Sequence, residues 1–536
     1  MPDQERLHLK YFTNFYAWLL IAAIPVIYGV LYVNNFHHER NYSLSEKADN
    51  AHRVGNSHAA AGFYRAMLED DPQNVVLHRN YLRVSVNSVG DIDDEVINEY
   101  YELSQLSDSD KTDLGNYALG FIAILQDNEN KALELYAKVE NRAFPYLQNS
   151  IGYAYLELEN YQQAEAHFRT SIEIEDNAQG AYSNLSKIYL KTNNNEGIAE
   201  LVNDESTVEY VSSRVKRQYY FKTGQVGRYL TALAKRRAFT GLSLIGGLLT
   251  LSVWLVYLVR VDVFERESPH HIGFALVLGG VFMMCAIPLY DSFSVFFGFD
   301  LNGETLNDFL YCIFGIGLIE ESVKIIPFLI LLRFKSIVNE STDYIVYASL
   351  VALSFAFLEN LLYFYPDNLE AITGRLLTAN VLHIALTSFI AFSILYAKKK
   401  KRSVILYFLM GFAFSIFVHG VYDFFLITES DWRELKILSL GIAATCILLY
   451  ARALHQALSW SEFNDSIDTE IRSMELLMVA IMLVVAFQYV AIGTSFGADN
   501  ANMSLGTAVF FLMIFGPLLV GGLGRFRILK SVGTNR

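Results

Sequence analysis

The hexapeptide Ile-Glu-Glu-Ser-Val-Lys, from Ile319 to Lys324, interrupts an apolar run that extends from about Phe309 to Leu332. A charged side chain at the bilayer centre costs about 2.5 to 3.5 kcal/mol on insertion scales, so three within two helical turns point to function. Lys324 stands one turn from both Glu320 and Glu321, which makes a self-neutralising ion pair the plain structural alternative. One lysine cannot neutralise two carboxylates, however, and one acid is left over.

Three further polar groups follow in successive apolar runs. The first is Phe355-Ala-Phe-Leu-Glu359-Asn360, an acid and an amide together. The second is His383, with Asn380 one turn before it, in a run that opens at Arg375. A lone histidine on an apolar helix is more often a satisfied core residue, but the third group, His419-Gly-Val-Tyr-Asp423, raises its weight. The i, i+4 spacing sets imidazole and carboxylate on one helix face, where the acid orients the ring or accepts its proton.

These residues need helices to position them. With 536 residues, 53% hydrophobic content and a positive mean hydropathy, the chain reads as an all-α, polytopic membrane protein. About ten apolar runs reach spanning length: Phe15 to Val33, Phe239 to Val259, Ile272 to Tyr290, Asn307 to Leu332, Tyr344 to Phe364, Leu376 to Ala397, Val404 to Ile427, Leu435 to Leu454, Met474 to Phe496 and Leu505 to Leu523. Alternating the helices across a bilayer at about 1.5 Å per residue puts Glu359 and His383 about 8 to 11 Å, and His419 about 12 to 14 Å, from the same face. Glu320 falls nearer the midplane. Convergence in one half of the membrane argues for a shared hydrated pocket.

The first run lacks a small-x-small cleavage site and reads as an uncleaved signal anchor within residues 1–38. A polar segment, 39–213, separates it from the second. There Gly120, Ala132 and Tyr136 recur 32 residues later as Gly152, Ala164 and Phe168. Partial copies appear at Ala60, Tyr64 and Pro72, and at Leu185 and Tyr189. The Ile151-Gly152, Tyr155, Ala164, Phe168 pattern resembles the tetratricopeptide repeat, which implies helix pairs stacked into a soluble α-solenoid with a peptide-binding concave face. A mere spacer is the alternative.

Residues 214–238, with Arg214, Lys216, Arg217, Lys222, Arg228 and Lys235 to Arg237, read as a basic amphipathic linker at the lipid surface. The loops with Arg333 and Lys335 and with Lys398 to Arg402, and the tail after Arg525, place one end of the bundle in the cytoplasm and the repeat segment outside. Cys285, Cys312 and Cys446 all lie within spans, so no disulfide framework is expected in the soluble part. A net charge of -14 argues against nucleic acid as a partner.

Four motifs in order, E-E-x-x-K, F-x-x-x-E-N, a lone His and H-x-x-x-D, resemble the PrsW family of intramembrane proteases, relatives of the type II CAAX prenyl proteases and Abi proteins. The resemblance covers residues from about Ile272 to Ile427, within a protease domain of 239–430, and leaves 431–536 as additional spans. Lys324 at the shorter spacing, and Glu359 where CAAX proteases carry histidine, favour the PrsW branch.

The resemblance implies a glutamic-type endopeptidase in a bacterial cytoplasmic membrane that cleaves membrane-associated proteins, membrane-anchored anti-sigma-factor-like regulators among them. It implies catalytic roles for Glu320, Glu321, His383 and His419, with Lys324, Glu359, Asn360 and Asp423 in support. Glu320 is the base, Glu321 and Lys324 tune it, His383 assists, His419 with Asp423 stabilises the oxyanion or moves protons, and Asn360 offers an amide to the substrate backbone. No cofactor is expected in this reading. A zinc enzyme with ligands drawn from His383, His419, Glu359 and Asp423 is one alternative. A transporter with a proton relay and a docking domain, or a scaffold without activity, is another.

Overall fold

The computed structural model describes residues 21–37, 42–86, 92–174, 178–234, 240–364, 368–428, 435–463 and 468–529. The chain divides into two compact units, one comprising Asn41–Ala238 and the other Met1–Arg40 with Phe239–Arg536. The start of the first apolar run and the basic residues Lys235 to Arg237 lie outside the described residues.

The unit Asn41–Ala238 is a succession of helix pairs, α2 (Leu44–Arg53) with α3 (Ser57–Asp70), α4 (Val75–Ser85), α5 (Asp94–Ser104), α6 (Ser109–Leu125) with α7 (Glu129–Tyr136), α8 (Leu147–Glu157) with α9 (Tyr161–Glu173), and α10 (Ala178–Lys191) with α11 (Asn195–Asn203). The 32-residue period has a packing cause. A Cβ on Gly120 would stand 2.5 Å from the ring of Tyr136, and one on Gly152 would stand 2.8 Å from that of Phe168. Each glycine therefore admits the aromatic ring of the next helix. The turn repeats as well: Asp127, Glu159 and Asn193 adopt positive φ, and the asparagine that follows each caps α7, α9 or α11.

The basic stretch does not form a separate linker. Its residues fold as α12 (Ser213–Lys222) and α13 (Val226–Ala234), a further helix pair of the same unit. Val215, Tyr219, Tyr220, Tyr229 and Ala232 enter one core with Leu185, Tyr189, Ile198 and Leu201. Arg217 is itself buried, because the tyrosines between the cations supply an apolar face that the preceding helix pairs cover.

In the membrane unit eight helical runs among the described residues are long and apolar enough to span a bilayer. They contain α14 (Gly241–Val261), α15 (Pro269–Phe297), α18 (Asp343–Tyr363), α19 (Ala371–Leu377) joined to α20 (Ala379–Lys399), α21 (Val404–Ile427), α22 (Ile437–Ser459), α23 (Met474–Phe496) and α24 (Ala498–Leu519). The described part of the first span, α1 (Ile21–Phe36), packs on α23 through Asn34 and Tyr489, 2.9 Å apart. The remaining expected span is composite: α16 (Thr305–Leu310), a π-helical segment Tyr311–Gly317, and α17 (Leu318–Leu331). All three cysteines are free. A short antiparallel ribbon, β1 (Asp468–Arg472) with β2 (Arg525–Leu529), is the one departure from all-helical structure among the described residues.

The basic loops gather at one end of this unit. Lys399 Nζ donates to Glu462 at 2.7 Å, Lys398 Nζ to Tyr344 at 2.6 Å, and Ser341 N to Glu462 at 2.8 Å. A group of buried carboxylates lies at this end too, including Asp262, Glu267, Glu340 and Asp343. Glu267 accepts from Tyr347 and Glu340 from Ser461, yet Asp262 Oδ1, Glu340 Oε1 and Asp343 Oδ1 are buried without a hydrogen-bond partner among the described residues. Burial pushes Asp262 and Glu340, both in loops outside the spans, up to about 7.

Candidate active site

The composite span brings the carboxylates in. Seven residues wind as a π-helix just before Leu318, and such bulges recur at functional sites because they re-aim the turn that follows. Here the bulge crosses α21 at backbone contact. A Cβ on Gly317 would sit 2.7 Å from the carbonyl oxygen of Ile416, and one on Gly420 would sit 2.5 Å from Cα of Ile313. Any side chain at either position would hold the helices apart. Glu320 lies one turn after Gly317 and His419 immediately before Gly420, so this crossing delivers imidazole to carboxylate.

The two glutamates have different surroundings. Glu321 is wholly buried and paired twice, to Lys324 Nζ at 2.6 Å and to His419 Nδ1 at 2.8 Å. The ion pair expected as the plain alternative therefore exists, closest at Glu321, with Glu320 Oε2 farther from the same ammonium at 3.5 Å. Glu320 Oε1 accepts from the Tyr290 hydroxyl at 2.7 Å. Its Oε2 is buried and accepts no hydrogen bond among the described residues. Around that oxygen stand His419 Nε2 at 3.4 Å, Lys324 Nζ at 3.5 Å and His383 Nδ1 at 3.9 Å.

Hydrogen-bond logic fixes the roles of the two rings. Lys324 Nζ lies 2.9 Å from His383 Nδ1, and an ammonium can only donate, so Nδ1 accepts. The ring proton is then on Nε2, which donates to Glu359 Oε2 at 2.8 Å. Glu359 Oε2 also takes Arg375 Nη2 at 2.8 Å, completing a chain from Arg375 through Glu359 to His383. His419 differs. Nδ1 donates to Glu321, while Nε2 faces Glu320 and Asp423 Oδ2, the latter at 3.3 Å. Its Nε2 proton can move between partners. The i, i+4 pairing of His419 with Asp423 is thus present as the sequence suggests.

Asn360 does not fill the role expected of it. It is fully buried, its amide donates to Asn380 Oδ1 at 2.8 Å, and its own Oδ1 accepts from Arg375 Nε at 2.6 Å. No amide proton is directed toward a substrate; the residue positions Arg375. Two residues of the cluster escape sequence reasoning. Tyr290 gives no signal, since tyrosines are ordinary at membrane interfaces. Arg375 could have been found as a cation placed opposite the basic loops.

The described residues also include one group of metal-competent side chains. Glu320, His383 and His419 each offer a ligand atom, all within 4.8 Å of one another. A carboxylate and two imidazoles suit zinc, and the unpartnered Glu320 Oε2 leaves a ligand position open. This set differs from the one expected: Glu359 and Asp423 lie outside it, because Arg375 holds Glu359 on the far nitrogen of His383. Lys324 already stands against His383 Nδ1, so ammonium and metal would compete for one nitrogen.

Comparison with known proteins bears on this segment. Residues 267–452 match the model of the PrsW family intramembrane metalloproteases. The chain is similar to Protease PrsW of Geobacillus kaustophilus (strain HTA426), 32% identical over 119 residues that cover 22% of this chain and 52% of that protein. Protease PrsW of Clostridioides difficile (strain 630) is 29% identical over 205 residues, 36% of this chain and 82% of that protein. The match thus spans about half the length of the first relative and most of the second. No solved structure matches. Residues 267–452, the segment that matches the PrsW family model, contain Tyr290, Glu320, Glu321, Lys324, Glu359, Arg375, His383, His419 and Asp423.

Proposed function

We propose that this chain is an intramembrane endopeptidase, with water activated at Glu320. The observation that carries the reading is Glu320 Oε2, a buried carboxylate oxygen without a hydrogen-bond donor, faced by two imidazoles and an ammonium within 3.9 Å. Water beside it would give its proton to Oε2 while attacking the substrate carbonyl. Tyr290 holds the other oxygen and fixes the direction of the vacant lone pairs. Lys324, anchored by Glu321, places a permanent positive charge where the oxyanion develops. His419 Nε2, between Glu320 and Asp423, carries the proton on to the leaving amine. His383, committed at both nitrogens, positions Lys324 rather than exchanging protons itself.

The convergence of Glu320, His383 and His419 favours a second reading of the same reaction, in which these three hold zinc. A bound zinc ion would polarise the carbonyl and lower the pKa of its water. Purified protein in detergent, assayed on single-span membrane proteins with and without a chelator, separates the two. Loss on chelation with recovery on added zinc establishes the metal reading, and unchanged cleavage establishes the metal-free one. No cleavage of any candidate substrate overturns both.

The repeat unit, which resembles tetratricopeptide arrays, recruits substrate in this proposal and does no chemistry. We place it outside a bacterial cytoplasmic membrane, with the basic end of the bundle inside. A cysteine at Asn194 should then react with a membrane-impermeant thiol reagent in intact cells, and one at Ser403 should not. The reverse labelling would invert the orientation. Membrane-anchored regulators of the anti-sigma-factor kind fit as substrates, since Glu359, His383 and His419 lie on helices of spanning length.

A further inference from the structure

A groove of about 530 Å³ lies between α20, α21 and α22, and no residue of the carboxylate–histidine cluster lines it. Phe389 on α20, Phe414 on α21 and Leu449 on α22 each stand eleven residues from the cap at the basic-loop end of their own helix, which is Lys400, Ser403 and Trp460 respectively. At about 1.5 Å per residue that is a depth of about 16 Å, half the hydrocarbon core of a bilayer. Phe389 and Phe414 meet there with ring centroids 5.9 Å apart. Nearer the loops Phe392 stacks on Trp460 at 5.9 Å, and Tyr396 lies against the same indole at 6.1 Å. The groove is apolar at its floor and aromatic at its mouth, as suits a contact with lipid at the membrane interface.

Two cations line the same groove. Lys400 stands at the mouth, its ammonium 5.8 Å from the centroid of the Trp460 ring. Arg452 lies eight residues before Trp460, about 12 Å down α22, and is exposed. The adjacent Lys399 takes Glu462 at 2.7 Å, whereas neither Lys400 nor Arg452 has a carboxylate within ion-pair distance among the described residues. An arginine at that depth of a spanning helix is costly unless it meets an anion. Snorkelling to water would serve a single long cation, but two cations from different helices lining one apolar groove specify an anion that carries a hydrocarbon chain. Guanidinium and ammonium both bind phosphate oxygens. A zwitterionic head group brings its own ammonium beside the phosphate, which Lys400 and Arg452 repel.

We propose that the groove between α20, α21 and α22 binds one phospholipid of net negative charge, with its phosphate between Lys400 and Arg452 and an acyl chain against Phe389, Phe414 and Leu449. The inference is independent of how the carboxylate–histidine cluster works, since none of these residues belongs to it.

The test reconstitutes the full-length protein in phosphatidylcholine vesicles and replaces a rising fraction of that lipid with phosphatidylglycerol or phosphatidylcholine carrying brominated acyl chains, which quench a neighbouring indole. The signal read is the part of the tryptophan emission that Trp460→Phe lacks. Half-quenching should need at least about fivefold less brominated phosphatidylglycerol than brominated phosphatidylcholine, and Arg452→Gln should bring the two within about twofold of each other. Lys401→Gln, one residue beyond the groove, should keep the preference; an equal loss there would mean diffuse attraction to a basic face and would overturn the proposal. Equal quenching by the two lipids, or an unchanged preference in Arg452→Gln, would overturn it too. So would loss of the preference on adding millimolar inorganic phosphate at constant ionic strength, which would identify a free anion as the ligand. Where Arg452→Gln fails to insert, Lys400→Gln is read against the same thresholds. Glu320→Gln should show the parent's lipid preference, so failure of the protease reading would not be mistaken for failure here.

Discussion

Both ends of the membrane unit bury several carboxylates, and they neutralise them differently. At the site end Glu321 and Glu359 face Lys324 and Arg375, each in an ion pair of 2.6 to 2.8 Å. At the basic-loop end Asp262, Glu340 and Asp343 keep buried oxygens without a donor, and neither a lysine nor an arginine lies within ion-pair distance of them among the described residues. One end compensates charge with charge. The other compensates it with protons, which burial allows by pushing Asp262 and Glu340 up to about 7. A catalytic base must be ionised to accept a proton, so only the first arrangement suits hydrolysis.

The largest test of that contrast is Glu320→Gln. Gln preserves shape and removes the proton acceptor, so cleavage should fall by about 10^2 to 10^4-fold while the protein inserts and melts as before. His383→Ala and His419→Ala should each give losses of similar size that do not add in the double variant, because the three groups act as a unit. Wild-type turnover in Glu320→Gln, measured on the same substrate, would end the account of the site given above.

Glu321→Gln should show the opposite profile. It breaks a buried ion pair and takes a carboxylate from His419, and removing one partner of such a pair costs about 3 to 5 kcal/mol. Thermal unfolding in detergent should therefore register Glu321→Gln strongly and Glu320→Gln weakly, while activity ranks them the other way. If Glu321→Gln is stable and inactive, the two carboxylates must exchange roles. Tyr290→Phe is a milder change. Losing one hydrogen bond to a carboxylate is worth about 1.5 to 3 kcal/mol, so turnover should drop about ten- to a hundredfold with substrate binding unaltered.

The smallest effect belongs to the other end. A carboxyl group whose folded value is raised stabilises the fold while it is protonated. That contribution is complete below the unfolded value near 4 and is lost as pH rises through about 7. Melting temperature should decline between about pH 4 and pH 7, and Asp262→Asn with Glu340→Gln should flatten the decline. A melting temperature that rises over this range would mean the acids are ionised and compensated after all.

Much of this was legible in the sequence because burying charge in an apolar run is costly enough to be conspicuous. Glu320, Glu321, Lys324, Glu359, His383, His419 and Asp423 all announce themselves so, and the structure brings all of them together. What stayed hidden was assignment. Neighbouring residues on a helix point about 100° apart, and nothing in Glu-Glu says which acid meets the lysine. Asn360 read as a donor to substrate because its partners, Asn380 and Arg375, come from other helices. The basic stretch after Arg214 misled for a related reason: cations dominate its composition, while its tyrosines determine its packing.

The crossing of Gly317 and Gly420 has a consequence for how the site could be tuned. Each glycine stands against the backbone of the opposite helix, so side-chain volume at these two positions works as a shim between the walls of the site. A graded series at 420, from alanine through serine to valine, would widen the gap without altering any charge or hydrogen-bonding group in the cluster. Rate plotted against added volume would then report how steeply proton transfer depends on the separation of His419 from Glu320, turning a packing contact into a ruler.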